Sequence, residues 1–304
     1  MSIDKDKIDK IIQSLDKEIK STKEGIEQTD SLIRLKEIAK VYRGEDRIIP
    51  FDEIVQRISK GDEELKIMTG WSDLDSLLRG FRLQQLVVIS ALTKSGKTSF
   101  LMDMTIRLKD YNPLWFPFEE SAEELVRKFV ERGQEPPRAY TPENMTNSSI
   151  DWLESKIVEA IAKYDSKIVI IDQLDFIVPF TGENHHLSIA KTMRDLKGLA
   201  KKWNIVIFII AHMQKTKMDN QPTMEDLRGS SSIAQEADTV LLLWREAKRE
   251  NGQVVITDNV NVSVQANRRF GKTGNVKMVY EDGKFIQREW KTDEDSIQDK
   301  LKNF

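Results

Sequence analysis

The sequence predicts an α/β protein with a doubly wound, mainly parallel sheet. Five short apolar runs recur between residues 86 and 244, and such runs are typical of strands that are buried on both faces. Helical patterns separate these runs, as expected when crossover helices join parallel strands. The strands are predicted at Leu86–Ser90, Leu114–Phe118, Lys167–Asp172, Ile205–Ile210 and Thr239–Trp244, and the helices at about 97–109, 121–132, 151–164 and 188–203.

The pattern changes after Trp244. Polar and apolar residues alternate in "VNVSVQANRRFGKTGNVKMVYEDGKFIQ", and glycine-containing turn signals lie at 272–274 and 281–283. We expect antiparallel strands here that extend one edge of the sheet.

The first 66 residues predict two helical segments. Residues 1–46 are charge-rich with one apolar stripe, which suits a helix that packs either on its own chain or on another subunit. In residues 47–66, Pro50 and Asp52 begin a short amphipathic helix, Glu53 to Ile58, of a kind that docks on a neighbour. The α/β domain is expected over residues 67–290, followed by a polar tail at 291–304.

Composition limits the function. The 304-residue chain has no cysteine, which excludes disulfides, thiolate zinc sites and cysteine nucleophiles, and three histidines are few for a metal cluster. A net charge of −3 argues against coating duplex DNA by bulk charge, but not against holding one strand in a narrow ring or groove. The opening residues are charged and no apolar run reaches about 18 residues, so we expect no membrane span and a cytoplasmic location.

The stretch "ALTKSGKT", residues 91–98, matches the phosphate-loop pattern G-x-x-x-x-G-K-[ST] at every fixed position except the first. Backbone N–H groups and the following helix N-terminus would hold the phosphates, Lys97 would reach the β- and γ-phosphates, and Thr98 would ligate Mg²⁺. Ala91 is tolerable if its φ stays negative. The expected nucleotide-binding residues here are Ala91, Thr93, Lys94, Ser95, Gly96, Lys97, Thr98 and Ser99.

Two carboxylates are expected beside this loop. Asp172 ends a β-branched strand and would hold Mg²⁺ through water, unless it merely ends the strand. Glu119 follows the second strand at the carboxyl edge, where open α/β sheets bind ligands, and is the predicted catalytic base. Alternatively, Glu119 and Glu120 both favour the next helix N-terminus through its dipole.

A polar segment follows the strand that ends near His212. His212 could touch the γ-phosphate and signal its presence, or be structural. Beyond it, Lys215, Lys217 and Arg228 would suit nucleic-acid phosphates, although loop lysines are often simply solvated.

Seven segments in order carry a family resemblance. They are "TGWSDLDSLLRGF", the alanine-first phosphate loop, "FEESAEEL", "VIIDQLDFI", "LKGLAKKWNIVIFIIAHMQK", "DLRGSSSIAQEADTVLLL" and "NRRFGKTG". Over about residues 65–290 the chain resembles the C-terminal RecA-like motor domain of DnaB-like replicative helicases. Alanine is frequent at the first loop position in that family, whose large N-terminal helical domain has no expected counterpart here.

The resemblance implies an ATP- and Mg²⁺-dependent translocase that encircles single-stranded DNA as a ring, usually a hexamer, with nucleotide between subunits. It implies roles for Lys97, Thr98, Asp172 and Glu119 as above, with His212 at a position that is often glutamine. Arg269 matches the arginine finger that enters the neighbouring site, with Arg268 as the close competitor, and Asn267 replaces a common lysine. Arg228, Gly229 and Ser231 match positions that contact the DNA backbone.

Two alternatives remain open from the sequence. An ATP-gated binding or assembly protein in the RecA, RadA or KaiC manner would have the same nucleotide site without unwinding DNA. The chain could also depend on a loader protein or a primase as a partner.

Overall fold

The computed structural model describes residues 26–43, 49–59, 64–91, 95–179, 185–213, 221–227, 229–250 and 253–287. Its helices are α1 (Ile26–Arg43), α2 (Phe51–Ser59), α3 (Ser72–Leu78), α4 (Lys97–Arg107), α5 (Ala122–Glu131), α6 (Ile150–Tyr164), α7 (Leu174–Ile177), α8 (His185–Lys202) and α9 (Ser230–Glu236). Its strands are β1 (Lys66–Ile67), β2 (Phe81–Arg82), β3 (Leu86–Ala91), β4 (Leu114–Pro117), β5 (Ile168–Asp172), β6 (Val206–His212), β7 (Thr239–Glu250), β8 (Gln253–Asn267), β9 (Gly274–Glu281) and β10 (Lys284–Gln287).

One sheet organises the α/β part, in the strand order β10-β9-β8-β7-β3-β6-β5-β4. The five strands β7, β3, β6, β5 and β4 run parallel to one another, whereas β8, β9 and β10 are antiparallel. The predicted doubly wound, mainly parallel sheet with antiparallel C-terminal strands is therefore confirmed. The separate division of the chain at residues 46, 66 and 290 stays a prediction.

Helices cover both faces of the sheet, so the central strands are apolar on both sides. In β3, Leu86 and Val88 pack in a core with α6 and α8, while Val87 and Ile89 pack in a second core with α3 and α4. Because alternate residues of a strand point to opposite faces, this double burial explains why β3 reads as a continuous apolar run.

The antiparallel strands differ in detail from the sequence prediction. β7 continues to Glu250, six residues beyond the predicted end at Trp244, because its outer half pairs with β8. The β8–β9 connection spans 268–273, so the first turn begins before the predicted 272–274 signal. The second turn lies as predicted, with Asp282 and Gly283 both at positive φ between β9 and β10.

The two N-terminal helices have different surroundings. α1 packs on the chain's own α6: Ile38 and Ala39 are buried, and Arg34 Nε donates to the Ala162 carbonyl at 3.2 Å. Packing on the same chain is thus the arrangement of residues 26–43, whereas residues 1–25 of the predicted N-terminal helix lie outside the described residues. α2, predicted over 53–58, covers 51–59 and has no buried residue.

The helices of the structure are relevant to the prediction that no segment spans a membrane. Among the described residues, no helix combines the length and apolar character that a bilayer crossing requires. The predicted polar tail at 291–304 lies outside those residues.

Candidate active site

Several of the predicted site residues lie at the carboxyl ends of β3, β4, β5 and β6. Ala91 at the end of β3 lies opposite His212 at the end of β6, and Pro117 of β4 lies opposite Asp172 of β5. The phosphate loop leaves β3 at this edge and leads into α4. Thr93 and Lys94 lie outside the described residues.

Ala91 is part of the sheet. It pairs with His212 on one side and Leu243 on the other, and it is 1% exposed. It does not have a positive φ, so its backbone does not require glycine. Alanine at this position fits the strand without strain, as the sequence reasoning required.

Gly96 has a conformational reason to be glycine. It precedes α4 with φ at 84°, in the left-handed region that L side chains rarely adopt. An added Cβ would meet the Phe285 ring only at 3.5 Å, an ordinary contact distance, so the backbone torsion is the constraint within the chain. Ser95 beside it is buried.

Thr98 and Asp172 form a polar pair between α4 and β5. The Thr98 hydroxyl donates to Asp172 Oδ2 at 3.0 Å, whereas Oδ1 of the same carboxylate is buried without a hydrogen-bond partner. An orphaned carboxylate oxygen beside a hydroxyl suits Mg²⁺ and its waters, since Mg²⁺ prefers oxygen ligands. No group of three or more metal-ligating side chains occurs within the described ranges, so phosphate oxygens and water would complete the coordination.

Burial raises the pKa of the Asp172 carboxyl to about 6. The Thr98 hydrogen bond and the Lys97 charge oppose this rise, while the nearby carboxylates of Glu119 and Glu120 add to it. Burial likewise lowers the pKa of Lys97, against the attraction of Glu119 and Asp172. Buried groups of opposite sign with shifted pKa values are typical of functional sites.

Glu119 and Glu120 have different environments. The Glu119 backbone N–H donates to the Asp172 carbonyl at 3.2 Å, which fixes the residue at the end of β5, and its side chain is exposed. The Glu120 carboxylate instead pairs with Lys128 of α5. Of these two glutamates, Glu119 is the more exposed, and its role as a base stays a prediction.

His212 ends β6 beside Ala91, with its side chain 38% exposed. Its Nε2 lies 4.0 Å from the carboxylate of Asp175 in α7. The histidine thus stands between the phosphate-loop strand and an acidic residue next to the Asp172 segment.

Arg132 is a cation at the site that was not predicted from the sequence. Its Nη2 donates to the Ser99 hydroxyl at 2.7 Å, and its Nη1 is buried without a partner. Arg132 follows α5, and nothing in its local sequence distinguishes it from the other basic residues of that helix. Gln173, next to Asp172, also has a buried side-chain oxygen without a partner.

The two adjacent arginines after β8, Arg268 and Arg269, differ in their contacts and exposure. Arg268 donates to the main-chain carbonyls of Ala234 and Gln235 at the end of α9, which fixes it to its own chain. Asn267 is 5% exposed and donates to the Leu77 carbonyl, so the residue in place of the family's lysine holds the turn. Arg269 remains exposed, with its guanidinium paired to the Glu64 carboxylate.

The predicted DNA-binding residues are only partly described. Lys215, Lys217 and Arg228 lie outside the described residues. Gly229 has φ at 77°, and a Cβ there would lie 3.0 Å from Ile189, so its backbone conformation and local packing account for glycine. Ser231 is exposed on α9.

Comparison with known proteins agrees with this architecture. The family model described as the DnaB-like helicase C-terminal domain matches residues 66–137 and 140–287. Similar curated proteins include the replicative DNA helicase DnaB of Geobacillus stearothermophilus, 26% identical over 285 residues, and DnaC of Bacillus subtilis, 23% identical over 289. Each alignment covers 81% of this chain and 62% of the relative.

Two solved structures share the fold. One is an isolated ATPase domain, which matches with a TM-score of 0.68 at 20% identity, covering 80% of this chain and 100% of that one. The other, a DnaB-like replicative helicase whose structure was described with its primase interactions, matches with a TM-score of 0.66 at 19% identity, covering 94% and 77%. The match of one family model to most of the chain, with the phosphate loop and Asp172 inside it, means that the chain belongs to the DnaB-like helicase C-terminal domain family.

Proposed function

We propose that this chain is the motor of an ATP-dependent DNA helicase that moves along single-stranded DNA as a ring. Since the chain spans about three-fifths of the relatives' length, activity, substrate and partners are all inferred. One observation carries the proposal: Lys97 lies at the carboxyl ends of the parallel strands, and Arg269 lies at their amino ends.

The separation follows from strand register. Lys97 begins α4 just past the end of β3, whereas Arg269 follows Asn267, which pairs with Thr239 at the start of β7. Thr239 in turn lies opposite Val87, near the start of β3. At about 3.3 Å per residue, the four residues from Val87 to Ala91 separate the backbones near Arg269 and Lys97 by roughly 13 Å along the strands.

Arg269 is paired with Glu64 at the end of the strands away from the phosphate loop, and from there it would serve a neighbour's loop. If the phosphate-loop side of one subunit packs against the Arg269 side of the next, identical subunits form a head-to-tail contact. Such contacts close into a ring or continue as a helical filament. An arginine supplied in trans stabilises the charge that develops during phosphoryl transfer and contributes about 10³- to 10⁵-fold in rate.

Bound MgATP would supply the phosphoanhydride bond and the metal charge. Thr98 and Asp172 would hold the cation, Lys97 would neutralise the terminal phosphates, and Gly96 would let the loop turn toward them. Glu119, accessible at the edge and close enough to influence Lys97, would accept a proton from the attacking water.

The DNA contacts are proposed for the segment beyond β6. Met213 pairs with Leu227, so both ends of the intervening segment start from the edge that holds His212. Lys215, Lys217, Arg228, Gly229 and Ser231 would grip backbone phosphates there, and His212 would report the nucleotide state to them. Phosphate contacts carry little sequence preference and weaken steeply with salt.

The proposed partners are single-stranded DNA and further copies of this chain, in a ring that is hexameric by family. A primase or a loader is a further proposed partner, since one structural relative was solved with its primase interactions.

The test is strand displacement combined with DNA-stimulated ATP turnover. We expect the wild-type chain to hydrolyse ATP faster with single-stranded DNA and to open a forked duplex. Glu119→Gln should still bind ATP and DNA but lose about 10²- to 10⁴-fold in turnover, the usual contribution of a general base. Particles trapped by this variant allow subunits to be counted. ATP-dependent assembly without either DNA effect would favour the assembly-protein alternative instead.

A further inference from the structure

Glu64 makes a two-pronged contact with the proposed arginine finger. Its two carboxylate oxygens accept from Nη1 and Nη2 of Arg269, one oxygen each. Two parallel N–H···O bonds of this kind are the strongest geometry between a carboxylate and a guanidinium. They engage the same pair of nitrogens that a bidentate phosphate contact would use.

The carboxylate is held in place independently of Arg269. Arg82 Nε lies 3.2 Å from Glu64 Oε2, and the Arg82 side chain is only 5% exposed. The Arg82 guanidinium is itself anchored by the main-chain carbonyls of Arg79, Gly80 and Phe81. Glu64 is therefore a fixed anion beside an exposed arginine.

The surroundings of this pair attract anions. Arg79, Arg82 and Arg269 all place their guanidinium groups over the Phe270 ring, at 5.1, 5.8 and 5.7 Å. A cleft of about 720 Å³ opens beside them, lined by Lys197, Lys201, Arg268 and Arg269 together with Glu64 and Asp238. A phosphate entering from a neighbouring subunit would meet more cations than anions here.

The contact is also weak enough to exchange. The Glu64 and Arg269 side chains are 45% and 43% exposed, and ion pairs at that exposure stabilise by little because water screens them. A bound nucleotide phosphate, with more charge and less water around it, can displace the carboxylate.

We propose that Glu64 is a positioning residue that holds Arg269 in an ion pair while the chain is alone. When subunits close, the neighbour's nucleotide phosphate replaces Glu64 as the partner of Arg269. Glu64 lies five residues after α2, the helix whose apolar face is uncovered in the single chain. Glu64 is therefore close in sequence to a surface that a neighbouring subunit could cover. The inference rests on the proposed function, since it requires Arg269 to act in trans.

The test compares Glu64→Gln with the wild-type chain in ATP turnover without DNA, over a range of protein concentrations. Because glutamine keeps the shape and removes the charge, we expect kcat to rise about two- to five-fold, the range that an exposed ion pair allows, with the KM for ATP little changed. Glu64→Asp keeps the charge but shortens the reach, and it should fall between the two. Glu159→Gln is the matched control, because Glu159 also pairs with two cations, Lys156 and Lys163, away from the site.

A double-mutant comparison assigns the effect to Arg269. In an Arg269→Ala background, Glu64→Gln should no longer change turnover, since the two residues act through one contact. An unchanged or lowered kcat for Glu64→Gln, in a protein with wild-type melting behaviour, would overturn the inference. If Arg269→Ala itself turned over ATP normally, the proposed function would fail first, and the two failures are thus separable.

Discussion

Two neighbouring arginines show how local contacts assign different tasks to identical side chains. Arg268 is fixed to the end of α9, whereas Arg269 is free to leave its ion pair. We expect Arg268→Ala to lower the free energy of unfolding by about 1 kcal/mol, the usual net effect of lost hydrogen bonds. Arg269→Ala should leave stability within about 0.5 kcal/mol and lower ATP turnover by at least about 10³-fold.

Chemical denaturation and steady-state turnover on the same samples separate these outcomes. Were Arg268→Ala to abolish turnover while Arg269→Ala kept it, the assignment of the finger would be reversed.

Asp172 predicts a pH dependence of stability. Its pKa of about 6 in the folded chain exceeds the ordinary value of 3.8, so the folded state binds the proton more tightly than the unfolded state does. The corresponding stabilisation is complete below pH ~4 and is lost as the pH rises through about 6. Asp172→Asn, which is neutral throughout, should therefore raise the free energy of unfolding by roughly 3 kcal/mol at pH 7.5 and by roughly half of that at pH 5.

Urea denaturation at the two pH values, without nucleotide or divalent cation, measures this difference. The variant should gain stability and yet lose Mg²⁺-dependent ATP turnover, as expected of a strained site residue. A pH-independent difference would mean that folding does not raise the pKa of Asp172.

At the scale of elements, α2 has an apolar face that its own chain leaves uncovered. Phe51, Val55 and Ile58 are 84%, 61% and 66% exposed. If this face packs on the next subunit, Val55→Asp should raise the dissociation constant of the assembly at least about tenfold, since burying one such side chain stabilises by ~1.5–3 kcal/mol.

Gln56→Asp is the control, because it adds the same charge to the polar side of the same helix. Analytical ultracentrifugation with a non-hydrolysed ATP analogue measures both variants. Equal assembly by the two would exclude the apolar face of α2 from the interface.

The sequence was most informative about the elements at the centre of the sheet. β3, β5 and β6 were predictable to within two residues, since double burial leaves a continuous apolar run that few other structures produce. The far half of β7 was not predictable, because its strand character depends on pairing with β8 rather than on its own polar residues.

The site residues likewise divide into those set by a local sequence pattern and those set by long-range contacts. Lys97, Thr98 and Asp172 follow a fixed local pattern, and the fold brings them together. Arg132 and Glu64 could not be predicted, because each reaches its partner through long-range packing, from Arg132 to Ser99 and from Glu64 to Arg269. The hydrogen bonds of Arg268 could not be predicted for the same reason, since its partners lie more than 30 residues away in the sequence.

At the scale of the whole molecule, the sheet divides the proposed active site into two halves that face opposite ways. The phosphate loop with Asp172 and Glu119 occupies the carboxyl edge of the parallel strands, and Arg269 lies at their amino edge. In the single chain, Arg269 is paired with Glu64 on the side away from the phosphate loop. Under the proposed function, one complete site therefore combines two subunits in head-to-tail contact.

Mixing two inactive variants tests this claim most directly. Lys97→Ala lacks the phosphate-loop cation, and Arg269→Ala lacks the finger, so each should be inactive alone. In a 1:1 mixture of subunits that assemble at random, about one interface in four would join an intact loop to an intact finger. We predict that ATP turnover reappears on mixing, at up to roughly a quarter of the wild-type rate per interface; turnover that stays absent in mixed assemblies of confirmed composition would contradict the account.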